Sequence, residues 1–409
     1  MAITGRLGLF VVWIASRAVF VLIYAGVVDA PVGGVFDDVA LYHRWSDALL
    51  DGRIPIEDPM WQYPPGAAAL FAAIRYVAGD SAGAFEATFF CLAIGADLLV
   101  LLTLTRLARG GGLLLGAWAW ALAVPPLNLL AYARYDIFAT VPAVVALAAM
   151  ARRPAVAGAA AAVGTLVKVW PAVLLISIRP LRGLRPALTG FAMALAVLGG
   201  ALTLAFSGAW GGLTGNQVDR GLQIESVGAT PLVLARVGDG GIRVESAYGA
   251  MEFVDHPFVP PATVALPVLT LAGLGLLGLW WLTRGRRIAW TATVGFDAAL
   301  VAVLVTVVTS RVFSPQYMLW LVGVAAVCLT RRDTTQRAAS ALIVVATLLT
   351  SALFPWYYEH VSTDPQWPGT VLLVLRNVVV VAALAAGAYG LSRVSQAERA
   401  TVLSGAPAR

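Results

Sequence analysis

The chain has 409 residues, 60% of them hydrophobic and 12% charged, with a mean hydropathy of +0.83. That composition excludes a water-soluble globular domain and describes a polytopic membrane protein. The net charge of +6 comes from arginines in short linkers between apolar runs, so it reports orientation in a bilayer and gives no reason to expect nucleic acid as a partner.

In chain order, apolar stretches lie near residues 7–28, 84–105, 112–128, 136–151, 187–208, 263–283, 289–309, 316–330, 338–354 and 369–390. Each approaches or exceeds the length needed to cross about 30 Å of hydrocarbon, which predicts ten spans. The stretch 154–178 is flanked by Arg152 and Arg153 before it and by Arg179, Arg182 and Arg185 after it. A single span would separate those clusters, whereas a short hairpin turning at Lys168 and Pro171 keeps both on one side. The expected fold is an all-α polytopic membrane protein, a single domain over 1–409 with about 12 membrane-embedded helices.

With that count the N-terminus, the linkers at 106–111, 152–153, 179–186, 284–288 and 331–337, and the tail at 391–409 share a face carrying 17 basic and two acidic residues. The asymmetry predicts a multi-pass protein of the cell membrane with both termini in the cytoplasm. The outer face then receives a loop at 29–83, a long segment at 209–262, and turns at 125–136, around 168, at 310–316 and at 355–368. Cys91 and Cys328 each sit inside an apolar run and read as core residues. His43, His256 and His360 lack the spacing of a metal triad, so no metal is expected.

The first outer loop is chemically unusual. Residues 36–66 hold five aspartates, Glu57, His43, two arginines and five aromatics, more carboxylate than a connection between lipid-spanning helices requires. Residues 38–50 have helical spacing, with Leu41, Trp45, Ala48 and Leu49 apolar and His43, Arg44, Asp47 and Asp51 on another side, as in an interfacial helix. A second interfacial helix is expected from Gly66 to Ala78, since its 13 residues, with Arg75 among them, are too few to span. Pro55, Pro59, Pro64 and Pro65 force extended or turning backbone between the two.

DVALYHRWSDALLDGRIPIEDPMWQYPPG, followed by RYDIF at 134–138, KVWP at 168–171, RGLQIES at 220–226 and FSPQYMLWL at 313–321, resembles glycosyltransferase family 87 in order and spacing. The resemblance covers roughly residues 7–390, with departures at Gln62, where the family often has an acid, and at Ile56, where it often has Tyr. It implies a GT-C-like fold and an enzyme that takes mannose from a polyprenyl-phosphate donor to a glycolipid or cell-envelope glycan hydroxyl on the outer face, with membrane lipids around it and no cofactor. The implied reaction is a single inverting displacement, which needs one base to take the hydroxyl proton. In the family that base lies in the first outer loop, where Asp38 matches its position best and Asp37 second; the alternative is that Asp38 caps the helix that follows, and one aspartate could do both. Lys168, the one lysine of the chain, and Arg311 are the expected cations for the donor phosphate, with Gln316 and Tyr317 as neutral donors. Lys168 could instead pair with Asp97 or Asp297, and Arg311 could snorkel to lipid headgroups. Arg134 and Asp136 are expected to pair with loop charges, and Arg17 and Arg376 with neighbouring helices. Tyr42, His43, Tyr63, Arg220, Gln223 and Glu225 complete the implied substrate cleft. The competing class is a secondary transporter or flippase, which usually shows two similar halves; the first-loop pattern has no repeat in the second half.

Overall fold

A computed structural model describes residues 2–30, 34–109, 111–178, 183–284 and 290–404. Its helices are α1 (Ala2–Tyr24), α2 (Asp37–Leu50), α3 (Pro65–Ala78), α4 (Ala82–Leu107), α5 (Leu115–Ala123), α6 (Asp136–Ala149) and α7 (Pro154–Val167). They continue as α8 (Leu184–Ala205), α9 (Val259–Arg284), α10 (Ala292–Val308), α11 (Met318–Leu329), α12 (Arg337–Leu353) and α13 (Trp367–Ser404), with a few one- or two-turn pieces between them. The class is the one expected, a helical polytopic membrane protein.

The number of long spans differs from the ten apolar stretches. Among the described residues five helices, α1, α4, α8, α9 and α13, are long and apolar enough to cross a membrane, and a sixth results if Pro125–Ala131 and α6, bent by 118°, count as one. The other apolar helices have 10–17 residues. The 14-residue α7 and 17-residue α10 would extend only roughly 20–25 Å at 1.5 Å per residue. Two physical causes are visible. Prolines at 125, 126, 171 and 315 turn apolar sequence into short 3₁₀ pieces. In addition, every residue of α11 and most of α10 are buried inside the protein, so their apolarity serves a protein core instead of a lipid face.

Several charges within the bundle have identified partners. Arg17 Nε on α1 meets Asp97 Oδ2 on α4 at 2.7 Å, as expected for neighbouring helices, and Asp97 also accepts from Trp13 Nε1 (3.1 Å), Trp120 Nε1 (2.5 Å) and Tyr132 Oη (2.6 Å). A buried carboxylate surrounded by four donors recovers much of what dehydration costs it. Asp297 is likewise occupied, by the hydroxyls of Thr334 (2.6 Å) and Thr335 (2.8 Å) and the Thr335 amide (2.9 Å). Neither acid is the partner of Lys168. Arg376 departs from the expected helix contact, donating to the backbone carbonyl of Glu225 at 2.7 Å.

Residues 29–83 contain α2 and α3, which start within one residue of the two helices read from the sequence. The 154–178 stretch is α7, an extended break at Lys168, and a 3₁₀ segment Trp170–Ser177. Helix α3 approaches α7 closely at Gly66, where a Cβ would lie 2.4 Å from the Leu166 carbonyl oxygen. Segment 209–262 contains what an all-α reading omits, a three-stranded antiparallel sheet of β1 (Leu222–Gln223), β2 (Arg243–Ala247) and β3 (Ala250–Val254) in the order β1-β3-β2. The segments read as outer loops gather together. Asn216 Nδ2 donates to the carbonyls of Ile56, Asp58 and Trp61, and Arg236 to those of Val361 and Ser362. The linkers 106–111 and 331–337 meet, with Arg332 Nε donating to the Gly111 carbonyl at 3.4 Å and Leu113 N to Thr330 O at 2.8 Å beside it.

Candidate active site

Helix α2 buries Val39, Leu41, Tyr42, Trp45, Ser46 and Leu49, which leaves the first turn to present its acids. Tyr42 stacks on Phe71 of α3, with ring centroids 4.2 Å apart at 10°, and so fixes the two helices against each other. Asp38 does not cap α2: the helix begins at Asp37 with Phe36 at the cap position and no side-chain cap bond. Its Oδ2 instead pairs with Arg134 Nε at 2.8 Å, and Arg134 Nη1 anchors on the Val35 carbonyl at 2.6 Å. Tyr42 Oη also donates to Oδ2, at 3.5 Å, and the Asp38 side chain remains 30% exposed where it lines a cavity of about 470 Å³.

That cavity draws walls from distant parts of the chain. Asp38, Tyr42, Tyr63, Lys168, Arg220, Gln316 and Tyr317, all expected at the site, line it together. Lys168 Nζ contacts Asp136 Oδ1 at 2.7 Å, and Trp320 Nε1 donates to the same oxygen at 2.8 Å. Asp136 is fully buried and its Oδ2 has no partner among the described residues. Three rings surround the ammonium, Tyr135 at 4.5 Å, Tyr317 at 5.0 Å and Trp320 at 5.1 Å. Tyr317 and Trp320 stack at 3.8 Å, and Trp170 stacks on Trp320 at 5.2 Å. The second cation is Arg220, whose Nε meets Glu252 Oε1 at 2.9 Å and whose Nη1 donates to Gln62 Oε1 at 3.0 Å. The result is a pocket lined by one part-exposed carboxylate and by two cations each fixed by a buried acid, a set able to hold an anionic group beside a hydroxyl that must lose a proton.

Other expected site residues lie behind the wall. Arg311 donates to the carbonyls of Gln217 (2.9 Å), Val218 (3.3 Å) and Arg220 (2.8 Å), so its guanidinium clamps the segment that carries Arg220 and does not line the cavity. Gln223 and Glu225 are buried: Gln223 donates to Glu225 Oε2 at 2.9 Å and accepts from the Phe313 amide at 2.7 Å. Burial pushes the Glu225 carboxyl up to about 7, against the opposing charge of Arg376. His43 sits edge-on to Phe85 at 5.2 Å, and Asp37 is likewise absent from the cavity wall. Arg134 and Asp136 pair with Asp38 and Lys168. Sequence reasoning missed the indoles of Trp170 and Trp320 and the β2–β3 tip at Tyr248–Gly249. The one sequence cue to the tip was Gly249 between the short runs RVESA and AMEFV, whose weak alternation does not by itself mark strands.

Among comparisons with known proteins, the model of glycosyltransferase family 87 matches residues 61–254. That range carries Tyr63, Lys168, Arg220 and the sheet, and it leaves Asp37 and Asp38 before it and Arg311, Gln316 and Tyr317 after it. No curated protein and no solved structure matches the chain.

Proposed function

We propose, for a chain that belongs to glycosyltransferase family 87 and is therefore a membrane glycosyltransferase, that it moves a mannosyl residue from a polyprenyl-phosphate donor to a hydroxyl of a lipid-linked or cell-envelope glycan on the outer face. The observation that supports this most is the joining of one carboxylate, Asp38, and two cations, Lys168 and Arg220, around one cavity. In this reading Asp38 takes the acceptor proton through Oδ1 while Arg134 holds Oδ2 and fixes the orientation. The hydroxyl oxygen attacks the anomeric carbon, the bond to the phosphate oxygen breaks with inversion, and Lys168 and Arg220 stabilise the charge left on the departing lipid phosphate. Arg220 takes the part that Arg311 was expected to play, because Arg311 spends its donors on carbonyls. Gln316 and Tyr317 supply neutral donors beside it.

The test is transfer of radiolabelled mannose from polyprenyl-phosphate-mannose in membranes containing the chain. Asp38→Asn is expected to lose transfer by roughly 10² to 10⁴ with donor binding retained, and Arg220→Ala and Lys168→Ala to weaken donor binding by about 10-fold or more. An active Asp38→Asn beside a dead Asp37→Asn would move the base by one residue. If both aspartate variants stayed active, the base assignment would be wrong.

A further inference from the structure

Gln62 is the point where two walls of the cavity are tied together. It is 6% exposed, its Oε1 accepts from Arg220 Nη1 at 3.0 Å, and its Nε2 donates to the Tyr248 carbonyl at 2.9 Å. Tyr248 and Gly249 form the two-residue turn between β2 and β3, both with left-handed backbone at φ 52 and 72, and both line the cavity. Glu252, on the outgoing strand β3 of the same hairpin, closes a ring by gripping Arg220 Nε at 2.9 Å and the Gly221 amide at 2.8 Å. Arg220 is thus held by the hairpin's strand directly and by the hairpin's tip through Gln62.

This bridge needs a side chain that accepts at one end and donates at the other. Glutamine does so. A glutamate would keep or strengthen the Arg220 contact but set its lone pairs against the Tyr248 carbonyl, and a methionine of similar size would make neither bond. The tip itself brings a phenol and backbone and no charge, a surface suited to a hydroxyl-rich group and not to a phosphate.

We propose that Gln62 is a positioning residue that seats the Tyr248–Gly249 tip as the acceptor-side wall and registers it to Arg220. The assignment of the acceptor side rests on the reading of Arg220 as a donor-phosphate group; the tie between Gln62 and the tip does not. Two variants of the full-length protein in nanodiscs, Gln62→Glu and Gln62→Met, separate these points. Hydrogen exchange of the peptide covering 246–251 is expected to speed up in both, with α3 unchanged. In steady-state transfer Gln62→Glu is expected to raise the acceptor KM roughly three- to tenfold, the size of one hydrogen bond, with donor KM within twofold. Gln62→Met should raise both KM values, since it also frees Arg220. Unchanged exchange at the tip in both variants would overturn the latch. A Gln62→Glu protein whose donor KM rises while acceptor KM stays fixed would overturn the acceptor-side assignment even if exchange responds. Should wild-type membranes transfer no mannose, the donor reading of the preceding section fails, and the exchange measurement alone decides the latch.

Discussion

Glu225 shows how far a single buried group can govern behaviour. Its carboxyl is raised from the ordinary 4.5 to about 7, first by burial, with Arg376 working in the opposite direction. Between those two values the unfolded chain has released the proton while the folded protein keeps it. Stability therefore falls as pH rises from about 4.5 to about 7 and levels off above, by an amount on the order of 3 kcal/mol at most. Glu225→Gln keeps an oxygen for Gln223 and removes the titration. The variant is expected to unfold at a temperature that hardly changes between pH 5 and 7.5, while the parent loses several degrees; equal pH slopes in the two proteins would show that Glu225 is not the group responsible. The charge at this position could be read from the sequence, but its partner Gln223 and the nearby Arg376 could be assigned only once segment 209–262 was seen packed on α13. The same holds for Lys168: its cost in apolar surroundings was evident, whereas Asp136 lies 32 residues away and nothing local distinguishes it from Asp97 or Asp297 as a partner.

At the scale of elements, short periodic patterns were legible and tertiary decisions were not. Amphipathic spacing located α2, a short apolar run carrying Arg75 located α3, and the flanking arginines with Pro171 located the break at Lys168. Apolar runs could not reveal which helices face lipid, because a helix packed wholly in protein, such as α11, is as apolar as one in a bilayer. The β2–β3 hairpin escaped notice because five-residue strands with mixed burial barely alternate. The contact between α3 and α7 is a testable case of an element placing a side chain. At Gly66 a Cβ would meet the Leu166 carbonyl carbon at 2.6 Å, two residues before Lys168. Gly66→Ala is expected to cost about 1–3 kcal/mol through overpacking and to weaken donor binding by shifting Lys168. Thermal unfolding and donor titration check this, and a variant matching the parent in both would mean that α3 does not set the position of the ammonium.

Over the whole molecule, polar groups from distant parts of the chain converge on one cavity, and two basic linkers touch each other. The cavity collects Asp38, Lys168 and Arg220, whereas the 111–113 linker bonds to Thr330 and Arg332. The proposed orientation, with cytoplasmic termini and the cavity outside, predicts the labelling of cysteines placed one at a time at the exposed positions Ala40 and Arg185 in a Cys91→Ser background, where the remaining Cys328 is buried. Ala40→Cys should react with an impermeant maleimide in intact cells and Arg185→Cys only after permeabilisation. The reverse pattern would invert the topology and remove the outer face as the site of transfer. The Arg17–Asp97 pair adds a constraint of a different kind, on the order of assembly. Eighty positions separate the two residues, so when α1 leaves the ribosome its cation has no counter-ion yet in existence. Its final seating has to wait for α4 to be synthesised, so α1 reaches its native place later than it is made.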